Sequence, residues 1–147
     1  MQANLIINQN GIIIRPMTKN DISRYVHQFE GMPLDERKEY IVKCKKIVEN
    51  KEEDDPNLFF AIVYAGQVIG AVITKSRNCD AAVIVDIPSN KYKHLTKDVN
   101  ELFIKLCKDT YIYDRIMFAE QLDNALVVVN KEEYIQIACK SKTAAST

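Results

Sequence analysis

The stretch Val83-Ile84-Val85-Asp86-Ile87-Pro88-Ser89-Asn90-Lys91-Tyr92-Lys93-His94-Leu95-Thr96 decides how this chain folds. With Ala81 and Ala82, its first residues make a near-continuous apolar run interrupted only by Asp86. That pattern belongs to a strand covered on both faces and therefore central in its sheet. Pro88 ends the run, because proline cannot donate to a ladder. Beyond it come Lys91, Lys93 and His94, and then Thr96, which reads as a helix N-cap. Val99, Leu102, Phe103, Leu106 and Cys107 follow at helical spacing and define one apolar stripe. A strand running through a basic loop into a helix N-terminus is suited to an anion, because backbone N–H groups and the helix dipole point at the loop. Such loops need glycine where the backbone must approach its ligand closely. This loop contains none.

Upstream, Gly11 precedes Ile12-Ile13-Ile14-Arg15-Pro16, a short β-branched strand stopped by proline. Thr18 is the N-cap of the helix that follows. Asp21 completes a capping box three residues later, and Met17 staples onto Ile22. Ile22, Tyr25, Val26 and Phe29 keep helical spacing until Gly31-Met32-Pro33 breaks it. A second helix, from near Pro33, carries Ile41, Cys44, Ile47 and Val48 on one face. Its other face is rich in Lys and Glu and reads as solvated surface. Glu52-Glu53-Asp54-Asp55-Pro56-Asn57 is an acidic turn. Residues 58–64 and 68–74 are strands joined at Ala65-Gly66-Gln67 in an antiparallel hairpin, and Gly70 inside the second marks a bulge or a close backbone approach.

Downstream, residues 115–119 form a strand, residues 125–129 are strongly β-branched, and residues 134–139 alternate. Asn130-Lys131-Glu132-Glu133 then reads as a hairpin turn joining a last strand pair. The core spans about 12–139, with flexible ends at 1–10 and 141–147.

At 147 residues the chain suits one domain with a real hydrophobic core. Twenty Lys and Arg balance twenty Asp and Glu, so no net field draws nucleic acid or a membrane surface. No apolar run is long enough to span a bilayer, and the first ten residues, which carry no cation, lead one to expect no signal peptide. Cys44, Cys79, Cys107 and Cys139 are far apart, with no CxxC or Cys/His pairing. They read as free, buried thiols in a reducing, cytoplasmic setting, and no metal site is expected.

Three pieces, in this order and over residues 12–139, resemble the GCN5-related N-acetyltransferase (GNAT) family. Ile14-Arg15-Pro16-Met17-Thr18-Lys19-Asn20-Asp21-Ile22 is similar to its opening strand and helix. Phe60-Ala61-Ile62-Val63-Tyr64-Ala65-Gly66-Gln67-Val68-Ile69-Gly70 is similar to its second and third strands. The segment from Val83 to Cys107 occupies the place of the acetyl-CoA site. The resemblance implies a single α/β (α+β) domain with a mixed, mostly antiparallel sheet, helices on both faces and a splayed central strand pair. It also implies acetyl-CoA as cofactor and a primary amine as acceptor.

In the family the fourth strand ends in apolar-x-Pro, followed by a loop Arg/Gln-x-x-Gly-x-Gly/Ala whose N–H groups hold the pyrophosphate. The strand's backbone pairs with the pantetheine arm. Carried onto this chain, the cofactor positions are Val85, Ile87, Lys91, Lys93, His94 and Thr96. Starting the motif at Asn90 or Lys91 places Lys93 or His94 at the first glycine and Leu95 or Thr96 at the last small position. Family members take the amine proton with a Glu or Asp, and many protonate the leaving thiolate with a Tyr on the helix after the fifth strand. Asp80, Asp86 and Glu120 are the carboxylates placed for the base, with Asp86 and Glu120 as the candidates, and Tyr134 is the candidate acid. Asp123-Asn124-Ala125 echoes the family's Asn-Ala start of that acid motif, but no tyrosine follows at the right spacing and there is no Gly-Phe.

Two functions follow. The residues favour a GNAT-like domain with weakened or lost cofactor binding that works as a binding or regulatory module on a protein or small-molecule partner. The family's usual activity favours an N-acetyltransferase with an atypical phosphate loop. A homodimer through a C-terminal edge strand is a further expectation.

Overall fold

In the computed structural model, residues 5–49, 58–77, 79–122, 125–128 and 135–137 are described. The acidic turn at 52–57, the turn at 130–133, Tyr134, Cys139 and the tail lie outside them.

The chain runs β1 (Ile7–Gln9), β2 (Ile12–Pro16), α1 (Lys19–His27), α2 (Leu34–Glu49), β3 (Phe59–Tyr64), β4 (Gln67–Arg77), β5 (Asp80–Asp86), a 3-10 turn (Lys93–Leu95), α3 (Thr96–Thr110), β6 (Arg115–Leu122), β7 (Ala125–Val128) and β8 (Ile135–Gln136). The sheet order is β1-β2-β3-β4-β5-β6-β7, with β8 also paired to β6. Every pairing is antiparallel except β5 with β6, which α3 connects as a parallel crossover.

The period-two alternation of the strands sorts the core into two layers. Ile12, Ile14, Phe60, Ile62, Val72, Val83 and Ile87 face α3, where they meet Val99, Leu102, Phe103, Leu106 and Cys107. Phe59, Ala61, Val68 and Ala71 face the other way, onto Ile22, Tyr25 and Val26 of α1 and Cys44 of α2. Both helix stripes are those the spacing predicts. Burying each such Leu, Ile or Phe side chain contributes about 1.5–3 kcal/mol, so the two layers fix which face every strand shows.

The capping box forms as expected. The Asp21 carboxylate accepts the Thr18 N–H (3.0 Å) and hydroxyl (2.8 Å), and Met17 packs in the same layer as Ile22. It also takes two bonds from the Arg15 guanidinium (2.6 and 3.1 Å), which ties the end of β2 to the start of α1. The β3–β4 hairpin turns on Ala65 and Gly66, both at positive φ as a type I′ turn requires. Gly70 meets both expectations for it. The β3–β4 register shifts between Ile62 and Val63, beside it, and a Cβ at Gly70 would lie 2.3 Å from the Asp86 carbonyl oxygen.

Four features differ from the sequence reading. Residues 7–9 are a strand paired with β2, because Asn10 and Gly11 at positive φ turn the chain back on itself. Thr96 is not a cap: it is the first residue of α3, in helical conformation, and its hydroxyl donates to the Lys93 carbonyl (2.8 Å). Cys79 is exposed, whereas Cys44 and Cys107 are buried, all three as free thiols. Finally, β7 and β8 both pair with β6 rather than with each other among the described residues. Leu122 and Ala125 are register partners, so β7 folds straight back, leaving too few residues for a helical turn after β6.

Candidate functional site

Ladder pairing between β5 and β6 ends at Val83 and Phe118. Beyond it β5 continues against β4 alone, up to Ala71↔Asp86, while β6 pairs with β7 from Ala119. The two parallel strands therefore splay from Ile84, as the resemblance implies for the central pair. A groove of about 1160 Å³ lies over the split. Its floor is β5 and its continuation, from Ile84 to Pro88. One wall is the α1–α2 connection and α2, through Phe29, Glu30, Met32, Glu36, Glu39, Tyr40 and Lys43. Asn90, Lys93, Thr96 and Ala119 close the other side.

Asp86 sits at the junction of floor and wall. Its Oδ2 accepts a short hydrogen bond from the Tyr25 hydroxyl of α1, which in turn lies 3.3 Å from the Tyr40 hydroxyl of α2. Burial raises the Asp86 carboxyl above its ordinary value of 3.8, although the Tyr25 hydrogen bond and the nearby Lys93 ammonium pull it down. Burial likewise pushes Tyr40 up to about 12, and lifts Tyr25 well above 10.0 with the Asp86 charge adding to it. Asp86 thus bonds inward to α1 instead of pointing into solvent, the ordinary fate of a strand-end carboxylate.

The wall is held by Arg37. Its guanidinium donates to the carbonyls of Phe29 (2.7 Å), Met32 (2.8 Å) and Val26 (3.2 Å), which satisfies the backbone left over where α1 ends. Glu36, Glu39, Tyr40 and Lys43 lie at helical spacing, so the polar face that reads as plain surface is a groove wall. Phe29 and Tyr40 meet edge to face, with centroids 5.5 Å apart.

The loop after Pro88 winds inward. Ser89 accepts the Lys91 N–H on its hydroxyl (3.3 Å) and the Tyr92 N–H on its carbonyl (3.1 Å). Tyr92 accepts the Leu95 N–H (2.9 Å), and Lys93 accepts the Thr96 N–H. Four of the N–H groups available to a pyrophosphate are thus engaged within the loop itself. Side chains, not glycine hydrogens, stand at the close-approach positions.

Of the cofactor positions carried over from the resemblance, Val85, Ile87, Lys93 and Thr96 line the groove, while Lys91 and His94 are exposed on the loop beside it. Among the candidate bases, Asp86 lines the groove. Glu120 lies in β6 opposite Val127, and its side chain is outside the described residues, as is Tyr134. Asp80 is bonded to Arg115 (3.1 Å) at the far end of β5. Sequence reasoning missed the Tyr25–Tyr40 pair and the Arg37 clamp. Their signal is weak: Tyr25 reads as core, Tyr40 lies beside the apolar face of its helix, and Arg37 is one cation among many. Among the described residues no group of three or more His, Cys, Asp or Glu could hold a metal ion. No helix among them is long and apolar enough to cross a membrane.

No protein-family model matches the sequence. Over 37 residues it is 43% identical to protein MGF 505-9R of African swine fever virus, a match covering 25% of this chain and only 7% of that protein. Solved structures are similar over much more of the chain. A GCN5-related N-acetyltransferase from Brucella melitensis superposes with a TM-score of 0.60 at 15% identity, covering 98% of this chain and 66% of that one. The GNAT-family acetyltransferase of Bacillus anthracis gives 0.57 at 12% identity, covering 81% of this chain and 75% of that one. A GNAT-family protein of Chromobacterium violaceum gives 0.60 at 13%, covering 80% and 69%. With its splayed parallel pair, its crossover helix and these likenesses, the chain has the GCN5-related N-acetyltransferase fold.

Proposed function

We propose that this domain is a GNAT-fold binding or regulatory module in which the grip on acetyl-CoA is weakened or lost. The observation that carries the reading is the loop after Pro88. The N–H groups of Lys91, Tyr92, Leu95 and Thr96 bond to Ser89, Tyr92 and Lys93, and no glycine lets a pyrophosphate reach the backbone. A phosphate there would have to break these turns, at about 1 kcal/mol net for each hydrogen bond lost. It would also approach the Asp86 carboxylate, an unfavourable charge pairing. Two further features support the reading: β7 follows β6 directly, without the helix that carries the family's acid tyrosine, and Tyr134 is not spaced to replace it. The residues thus fit the pantetheine arm at the β5 edge but not the diphosphate at the loop. The balanced charge keeps nucleic acid and membranes out of the proposal, and the free thiols agree with a cytoplasmic setting.

One observation favours a second reading. Asp86, with its raised carboxyl bonded to Tyr25 at the groove, is placed as the base of an active N-acetyltransferase would be, able to take a proton from a primary amine through water. Thermal melting with millimolar acetyl-CoA separates the two. A ligand at a hundredfold excess over its Kd stabilises by about 2.7 kcal/mol, or roughly 5–10 °C for a domain of this size. No shift is expected; a shift of that size overturns the module reading.

A further inference from the structure

Residues 84–86 present a strand edge that no other strand covers among the described residues: β4 pairs them on one side, and β6 has already diverged. Unpaired N–H and C=O groups along such an edge are a template for another extended backbone. The groove above the edge carries four carboxylates, Glu30, Glu36, Glu39 and Asp86, against two ammonium groups, Lys43 and Lys93. Three of the carboxylates stand along the α1–α2 wall, on the same side as the Tyr40 and Phe29 rings. The open edge and the acidic wall are independent features, and they select the same kind of occupant.

We propose that the groove binds an extended, lysine- or arginine-rich segment of a protein partner, added as a strand to the free edge of β5. This rests on the reading of the domain as a binding module, since the occupant takes the slot that acetyl-CoA would fill. At about 3.3 Å per residue, the edge at 84–86 pairs with roughly three residues. Alternate side chains of the added strand then point to opposite faces, so every second cation meets the Glu36–Glu39 wall. Backbone pairing gives affinity that tolerates sequence variation, and the acidic wall gives the preference for positive charge. The Phe29 and Tyr40 rings add cation–π contacts to the same side chains.

The test uses the full chain and a fluorescent peptide alternating lysine and valine, followed by anisotropy. Two control peptides accompany it: one alternating glutamate and valine, and the lysine–valine peptide N-methylated at alternate amides. Binding of the lysine–valine peptide is expected, with none for the glutamate peptide and about tenfold weaker binding once its amides are blocked. The double substitution Glu36→Gln/Glu39→Gln should weaken it roughly threefold, with the effect fading in high salt. Absence of binding by the lysine–valine peptide, or binding indifferent to N-methylation, overturns the proposal. Acetyl-CoA is added as a competitor to keep the two readings apart. Displacement of bound peptide at micromolar acetyl-CoA supports the shared edge but overturns the loss of cofactor binding. Failure of both ligands to bind overturns the strand-addition proposal alone.

Discussion

Asp86 and Asp21 show how one residue type takes opposite proton chemistry from its surroundings. At Asp86 burial outweighs the Tyr25 hydrogen bond, and the carboxyl holds its proton to higher pH than it does unfolded. Its contribution to stability is therefore full below the ordinary value of 3.8 and is lost as pH rises through the folded value. At Asp21 burial would also raise the carboxyl, but the Arg15 guanidinium and the Thr18 N–H and hydroxyl together carry it below 3.8. Its contribution is present above 3.8 and is lost as pH falls through the lower folded value. The substitution Asp86→Asn should thus gain stability relative to the parent as pH rises from acid to neutral. Asp21→Asn should cost about 1–2 kcal/mol at neutral pH through the lost cap, and that cost should shrink in acid. Urea midpoints across the acid range check both, and slopes of the same sign would contradict the assignment.

Gly70, in β4, sets how closely β5 can run before it leaves the sheet. A methyl group there meets backbone, not a flexible side chain, so the strand end at Asp86 and Ile87 would have to move. Gly70→Ala is expected to cost roughly 3 kcal/mol, at the upper end of overpacking, and to shift amide resonances at 84–87 more than those of the distant β1–β2 hairpin. A neutral substitution would mean that the groove floor is softer than the packing implies. On the opposite wall, Arg37→Ala removes the guanidinium donor from the carbonyls of Phe29 and Met32, and one of the donors to Val26, whose carbonyl keeps the Phe29 N–H. A loss of about 2 kcal/mol is expected, with faster amide exchange confined to residues 28–33. Retention of protection there would show that packing alone holds the wall.

Across the whole molecule, the fold was legible because its rules are local. Alternation along β2 to β5, helical spacing in α1 and α3, the Thr18–Asp21 cap and the Ala65-Gly66 turn each declare an element within a few residues. The site was legible only where it lies on such an element, as Asp86 does. The Tyr25–Asp86 bond joins residues 61 apart, and the Arg37 clamp reaches 5 to 11 residues back, so neither leaves a periodic trace. The misreading of Thr96 has a related cause: the chain enters α3 through a turn at Ser89 and the 3-10 turn at Lys93–Leu95, so the N-cap falls on Leu95 and no side chain caps the helix. That same winding turns an anion cradle into a closed loop. The direct measurement is calorimetric titration of the folded protein with acetyl-CoA up to millimolar concentration. No saturable heat is expected, because the Lys91, Tyr92, Leu95 and Thr96 N–H groups are already bonded to Ser89, Tyr92 and Lys93 and no glycine opens the rest of the loop backbone. A saturable isotherm with a micromolar Kd would contradict that.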